Sequence, residues 1–154
     1  PYYQHEHIGY NYRMSNICAG IGCGQMTVLE KHIANHRHVH ALYEQAFADI
    51  EGITLKSNPA KEFDANYWLC TILIDPVATG FDYEELRVAL DAKGIETRPL
   101  WKPMHLQPVF AHNPCYIDGT AEKLFNKGLC IPAGPFVTDE DVAYIVNEIR
   151  KQLR

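Results

Sequence analysis

No proline interrupts the chain between Ser15 and Ile50, and over that run apolar residues fall at Ile17, Ile21, Val28, Leu29, Ile33, Leu42, Tyr43, Phe47 and Ile50. The spacing is close to the period of an α-helix, with Ser15 placed to cap its amino end and Gly52 just past its carboxyl end. Such a helix would be ~52 Å long, more than the width of a compact domain of this size, so it is expected to project or to bridge. Its first turns are crowded with Cys18, Ala19, Gly20, Gly22, Cys23 and Gly24. A glycine inside a helix costs about 1 kcal/mol relative to alanine, so another element is expected to pack very close there.

Beyond Gly52 the pattern changes. Strands are predicted over Ile53–Lys56 and over Tyr67–Asp75, which stops at Pro76. A helix is predicted over Asp82–Lys93, closed by Gly94, and a strand over Ile95–Leu100. Pro99, Pro103, Pro108 and Pro114 then break any regular ladder and predict a loop held by side chains. Ala121–Cys130 reads as a short helix. Thr138 caps a last helix with Asp139, Glu140 and Asp141 at its positive end, a stripe of Val142, Ile145, Val146, Ile149 and Leu153, and Arg150, Lys151 and Arg154 at the other end. This order predicts an α+β layer pair, a small mostly antiparallel sheet covered by helices and preceded by the long helix.

With 154 residues, 47% hydrophobic and 21% charged, the chain reads as one globular domain. Fourteen Lys and Arg against nineteen Asp and Glu give a formal charge of −5 without a basic patch, which argues against a nucleic-acid partner. No apolar run approaches the ~20 residues of a membrane span, and the amino end lacks a signal-peptide layout, so a soluble, cytoplasmic protein is expected. Cys18, Cys23, Cys70, Cys115 and Cys130 are odd in number and form no C-x-x-C pair, which predicts reduced, buried, structural thiols. The chain opens at Pro1 and runs straight into a histidine- and tyrosine-rich stretch, as an excised piece would.

His32, His36 and His40 recur every four residues, and His5 and His7 could add ligands, but no carboxylate or thiol completes a metal spacing. A solvated polar face is the expectation, with no metal bound. No phosphate-binding glycine loop or nucleophile elbow occurs. Two stretches carry chemistry instead. In HIGYNYRMSN, residues 7–16, Asn11 and Arg13 alternate with aromatics ahead of a helix N-terminus, a donor set suited to a phosphate or another anion. In RPLWKPMHLQPVF, residues 98–110, Arg98, Trp101, Lys102 and His105 sit in a proline-stiffened loop that offers stacking, charge and hydrogen bonding together.

GYNYRMSN leading into a small-residue helix with Gln25, then GIETRPLWKPMHLQPVF, then GLCIPAGPFVTDEDVAYIV, resembles in order the C-terminal part of the DegT-type (DegT/DnrJ/StrS) sugar-nucleotide aminotransferases. The resemblance implies a pyridoxal 5'-phosphate enzyme of the aspartate-aminotransferase fold. The wording LWKPMHLQP is most similar to members that aminate UDP-linked keto-sugars at C4 in bacterial surface-glycan synthesis, with an amino acid, glutamate in most, as donor. It implies residues 1–14 as a lead-in from a large domain, 15–51 as an interdomain helix and 52–154 as the small C-terminal domain. It further implies a homodimer in which Asn11 reaches the cofactor phosphate of the partner subunit, with Arg13 and His105, and less directly Trp101, Lys102 and Tyr116, lining the sugar-nucleotide pocket. The Schiff-base lysine would lie outside this chain, leaving no catalytic residue here and an isolated chain expected to be inactive. The competing expectation is a stand-alone histidine-rich ligand- or metal-binding module that shares only the fold.

Overall fold

The proline-free run forms two helices instead of one. In the computed structural model, which describes residues 6–153, α1 spans Asn16–Met26 and α2 spans Leu29–Phe47. The break is local chemistry. Thr27 and Val28 are both β-branched, and the Thr27 hydroxyl donates back to the Gly24 carbonyl at 2.7 Å. The amides of Thr27 and Val28 reach only three residues back, to Gly24 and Gln25, which tightens and ends the helix after its glycine-rich turns. Ser15 caps α1 as expected, its Oγ accepting from the Cys18 amide at 3.2 Å. No residue of α1 is buried, and nothing lies within 4 Å of where side chains on Gly20, Gly22 and Gly24 would begin.

The residues group into two compact units, one up to Lys31 and one from His32 onward, rather than the single domain expected. The second unit holds the core. Val39, Tyr43 and Phe47 recur along α2 at four-residue spacing and are buried. They pack with Cys70, Ile72 and Ile74, the buried face of β2 (Cys70–Ile74), and with Leu129 and Ile131 of β4 (Gly128–Ile131). Leu86 and Leu90 of α4 (Tyr83–Asp91) and Val142, Ile145, Val146 and Ile149 of α6 (Asp139–Arg150) complete the cluster. Both of these helices begin in a capping box, Asp82 with Glu85 and Thr138 with Asp141.

The sheet is antiparallel with the order β1-β2-β4-β3, where β1 is Ile53–Leu55 and β3 is Arg98–Pro99. Register places Ile53 opposite Ile74, Ile72 opposite Leu129 and Arg98 opposite Cys130. Three expectations change here. The helix predicted over Ala121–Cys130 stops early, as α5 over Thr120–Phe125, and the remainder is the inner strand β4. All four β4 residues are buried, and a short, wholly apolar run has no period that separates a strand from a helix. The strand expected from Tyr67 begins only at Cys70, because Tyr67 adopts a left-handed backbone with φ of 51°. The strand expected over Ile95–Leu100 shrinks to two residues, since Pro99 has no amide to donate and is tolerated only at a sheet edge. A further short helix, α3 (Pro76–Thr79), is capped by Asp75 and closed by Gly80 in the left-handed region.

β4 can lie where it does because Gly128 has no side chain. A Cβ there would overlap the Leu100 side chain and come 2.8 Å from the Leu124 carbonyl oxygen, and the latter cannot swing away. Gly128→Ala is therefore expected to destabilise the fold by about 1–3 kcal/mol, as overpacking does. A urea unfolding series followed by circular dichroism checks this, with the midpoint falling and the slope unchanged.

Candidate functional site

Asn11 and Arg13 precede α1 in a segment without regular secondary structure, and both are exposed. The Asn11 Oδ1 accepts the Arg13 amide at 2.9 Å. This turn fixes the carboxamide and leaves its NH2 group to donate elsewhere. The rings of Tyr10 and Tyr12 sit 6.0 Å apart beside it.

The loop after β3 is held as its prolines predict. It makes two 3-10 turns, Met104–Leu106 and Pro108–Phe110, and the Gln107 amide Nε2 donates to the Lys102 carbonyl at 3.2 Å. Lys102 is exposed, and Tyr116, further on, is wholly so. His105 is different. Its side chain is only 14% exposed, its Nε2 is buried without a hydrogen-bond partner, and Glu122 Oε2 stands off at 3.9 Å.

A groove of about 1510 Å³ opens between α4, β3, the turn after β4 and the start of α6. Trp101 lines it, together with Trp68, Thr97 and His36, three residues that sequence reasoning did not single out for this site. Lys102, His105 and Tyr116 do not line it. The two indoles face each other at 6.5 Å between ring centres, tilted by 41°, and Trp68 and Trp101 remain 65% and 69% exposed. Thr97 Oγ1 and His36 Nδ1 are buried with no hydrogen-bond partner. Arginines and carboxylates on the walls are largely committed to each other. Arg87 Nη2 meets Glu84 Oε1 at 2.7 Å, and Arg98 Nη2 meets Glu96 Oε1 at 2.5 Å. The hydrogen bond from Arg87 holds the Glu84 carboxyl below its ordinary range.

The histidine face is not the solvated face expected. His40 is buried, with Nε2 3.1 Å from the Lys56 carbonyl oxygen and its ring stacked on Tyr67 at 3.6 Å, while His32 and His36 are half-buried. His40 is covered by the loop carrying residues 57–69, which folds back over α2, while His32 meets the Phe136 ring edge-on at 6.0 Å. Arg37 anchors that loop through Asp64 at 2.7 Å and the Ala65 carbonyl at 3.3 Å. His7 is exposed, while His5 and Arg154 lie outside the described residues. Among the described residues no three His, Cys, Asp or Glu side chains gather into a ligand set.

The same fold is found in aminotransferases of known structure. The crystal structure of Helicobacter pylori PseC, an aminotransferase involved in the biosynthesis of pseudoaminic acid, superposes with a TM-score of 0.81 at 19% identity, over 97% of this chain and 40% of that one. Residues 1–150 match the DegT/DnrJ/EryC1/StrS aminotransferase family, and the chain belongs to it. It is 34% identical to GDP-perosamine synthase of Escherichia coli O157:H7, over 97% of this chain and 39% of that protein. It is also 34% identical to EpsN of Bacillus subtilis (strain 168), a protein provisionally named as a pyridoxal phosphate-dependent aminotransferase, over 94% of this chain and 37% of that protein. The chain thus spans well under half the length of the relatives it matches.

The thiols also depart from expectation. Only Cys70 and Cys130 are buried, and Cys18, Cys23 and Cys115 are exposed, the first two because α1 covers nothing. Burial pushes the Cys70 thiol up to about 12, which keeps it protonated at neutral pH. Ellman's reagent at pH 8 is expected to titrate three thiols of the folded chain quickly and the other two only in denaturant. Equal reactivity of all five in the folded chain contradicts this burial pattern.

Proposed function

We propose that this chain is the C-terminal, substrate-recognising part of a pyridoxal-phosphate-dependent aminotransferase that moves an amino group from an amino acid, glutamate, to a nucleotide-linked 4-keto sugar in bacterial surface-glycan synthesis. The observation that carries the reading is the family match over residues 1–150, which takes in every element of the fold. The LWKPMHLQP loop favours a UDP-linked sugar, and the likeness to GDP-perosamine synthase makes a GDP-linked one the alternative. Residues 1–14 act as the lead-in from a large domain, 15–51 as the helical bridge, and 52–154 as the small domain of a cytoplasmic homodimer. The exposure of Ile17, Ile21 and Met26 on α1 supports a larger assembly, because a helix apolar on every side is normally a covered one.

The residues present fit one end of the cofactor. A carboxamide whose oxygen already accepts the Arg13 amide still has both N–H groups to donate, which is what phosphate oxygens require, and Arg13 itself, two residues on, brings a positive charge. When bound, pyridoxal phosphate supplies the electron sink that lets an amino group change carbons. Asn11 would hold the phosphate of the partner subunit's cofactor and fix its place. Arg13, Lys102 and His105 would bind the anionic half of the sugar nucleotide, with Trp101 and Tyr116 adding aromatic contact. The buried, unpartnered Nε2 of His105 is a group that a substrate oxygen could satisfy.

No residue here fits the other end of the cofactor. All eight lysines are exposed, whereas an imine-forming lysine must be partly neutral near pH 7, which takes burial or a nearby cation. Incubating the 154-residue chain with pyridoxal phosphate, reducing with borohydride and mapping peptides is expected to label no lysine stoichiometrically. Stoichiometric labelling at one site, Lys102 for example, overturns this part of the reading.

In the longer enzyme, Asn11→Ala is expected to weaken cofactor retention roughly ten- to a hundredfold, since a hydrogen bond to a charged acceptor contributes ~1.5–3 kcal/mol. Mixed with a subunit lacking the imine-forming lysine, the Asn11→Ala subunit should regain transfer from glutamate, because both defects then fall in one of two sites. Run with UDP- and GDP-linked 4-keto sugars in parallel, the same assay identifies the nucleotide. No recovery under conditions where subunits exchange removes Asn11 from the partner's site.

A further inference from the structure

We propose that Trp68 and Trp101 form a nucleobase-binding wedge, and that the groove they line takes the uncharged base of a nucleoside diphosphate while its phosphates stay outside. The inference deepens the reading above by assigning a base subsite, and Trp68 belongs to no motif that suggested that reading.

Three observations carry it. The first is the indole pair itself. Two tryptophans that each leave about two-thirds of their surface in water, 6.5 Å apart and tilted by 41°, make an apolar surface that is costly unless covered. A planar ring can stack on one indole and meet the other at its edge.

The second is the effort spent in placing Trp68. Its neighbour Tyr67 holds a left-handed backbone with φ of 51°, unusual for a bulky residue, and is kept there by stacking at 3.6 Å on the buried His40 ring. The Trp68 amide is tied in turn to Asn66 Oδ1 at 3.0 Å. A backbone conformation maintained against its own cost, immediately before a side chain left in solvent, points to a use for that side chain.

The third is polar and unpartnered. Thr97 is more than nine-tenths buried, lines the same groove, and its Oγ1 has no hydrogen-bond partner. His36 Nδ1, from another element lining the groove, is unpartnered as well. A hydroxyl that can donate or accept and a ring nitrogen that can do either, both lining the groove, suit the mixed donors and acceptors on the edge of a base. The charges exclude the other half of the ligand. Glu84, Asp91, Glu96 and Asp141 line the groove against only Arg87 and Arg98, and both arginines are already paired, so a diphosphate would meet net repulsion inside.

Trp68 and Trp101 are the two tryptophans of the chain, so its indole emission reports on this wedge alone. Titrating the whole 154-residue chain with UDP and with GDP is expected to quench that emission saturably, whereas inorganic pyrophosphate and tetramethylammonium leave it unchanged. Trp68→Leu and Trp101→Leu, followed by calorimetry, should each weaken UDP binding roughly five- to a hundredfold, the range that one stacking contact spans. Trp68→Phe, which keeps a stacking face and guards against a merely misfolded variant, should stay within about threefold of the parent. UDP binding unchanged by either leucine variant overturns the proposal, as does quenching by tetramethylammonium in place of UDP, or by pyrophosphate as strongly as by UDP. The two readings fail separately. Amino transfer that survives in the longer enzyme with an unchanged KM for the sugar nucleotide after Trp68→Leu removes the wedge and leaves the aminotransferase. Base-dependent quenching without any amino transfer removes the aminotransferase and leaves the wedge.

Discussion

The hydroxyl of Tyr43 donates to the Pro132 carbonyl at 2.9 Å, and much of the second unit depends on that bond. Tyr43 is fully buried on α2, with its ring parallel to Phe47 at 5.6 Å, while Pro132 is the first residue after the inner strand β4. The bond therefore ties the helix that carries His36, Arg37 and His40 to the turn that leads into the Thr138 cap of α6. Burial pushes the phenol well above its ordinary range, so it remains a donor at neutral pH. Left without its partner, a buried hydroxyl or carbonyl would cost about 1–3 kcal/mol, and the turn bordering the groove would lose its fixed distance from α2.

α2 is thus a mast with attachments on several sides. Toward the sheet it presents Val39, Tyr43 and Phe47. Toward the loop of residues 57–69 it presents Arg37 and His40. Toward α6 it presents Asn35, whose side-chain amide donates to the Val137 carbonyl at 3.4 Å, and His38, 2.7 Å from Asp139. Ala46 and Asp49 take the Arg150 guanidinium, which holds the Asp49 carboxyl below its ordinary range. Polar residues of this helix, Asn35, Arg37, His38 and His40, are thus the ones that fasten the neighbouring loops and α6 to it.

That pattern explains what was legible in the sequence and what was not. Capping signals act within four residues, so the start of α6 was readable from Thr138 and the acids after it, while α4 was readable from its apolar spacing and the Gly94 stop. Glycine stops and proline breaks are equally local, and the loop after Pro99 was placed correctly by them. β4 was not readable, because GLCI has no alternation and becomes a strand only between β2 and β3. The break after Met26 was missed because helical spacing continues across Thr27 and Val28, while the hydroxyl that turns back on Gly24 leaves no periodic trace. Of the candidate site, Trp101, Lys102 and His105 were visible as a loop rich in chemistry. Trp68 and Thr97 were not, since their meeting in one groove is set by a left-handed Tyr67 and by the sheet edge.

The distribution of burial divides the proposed chemistry between the two units. From His32 onward the chain has a core of its own, and Trp68, Thr97, Trp101 and His105 stand on it. Asn11 and Arg13 stand on the other unit, whose helix is eleven residues long, buries none of them and contains three glycines. A helix that short is marginal in water, and each glycine weakens it by about 1 kcal/mol relative to alanine. Its glycines are useful only if another surface approaches closer than a Cβ would permit, and the space beside them is open within this chain. The groove can therefore be formed by this polypeptide alone. Asn11 and Arg13 immediately precede α1, so their geometry depends on whatever covers that helix.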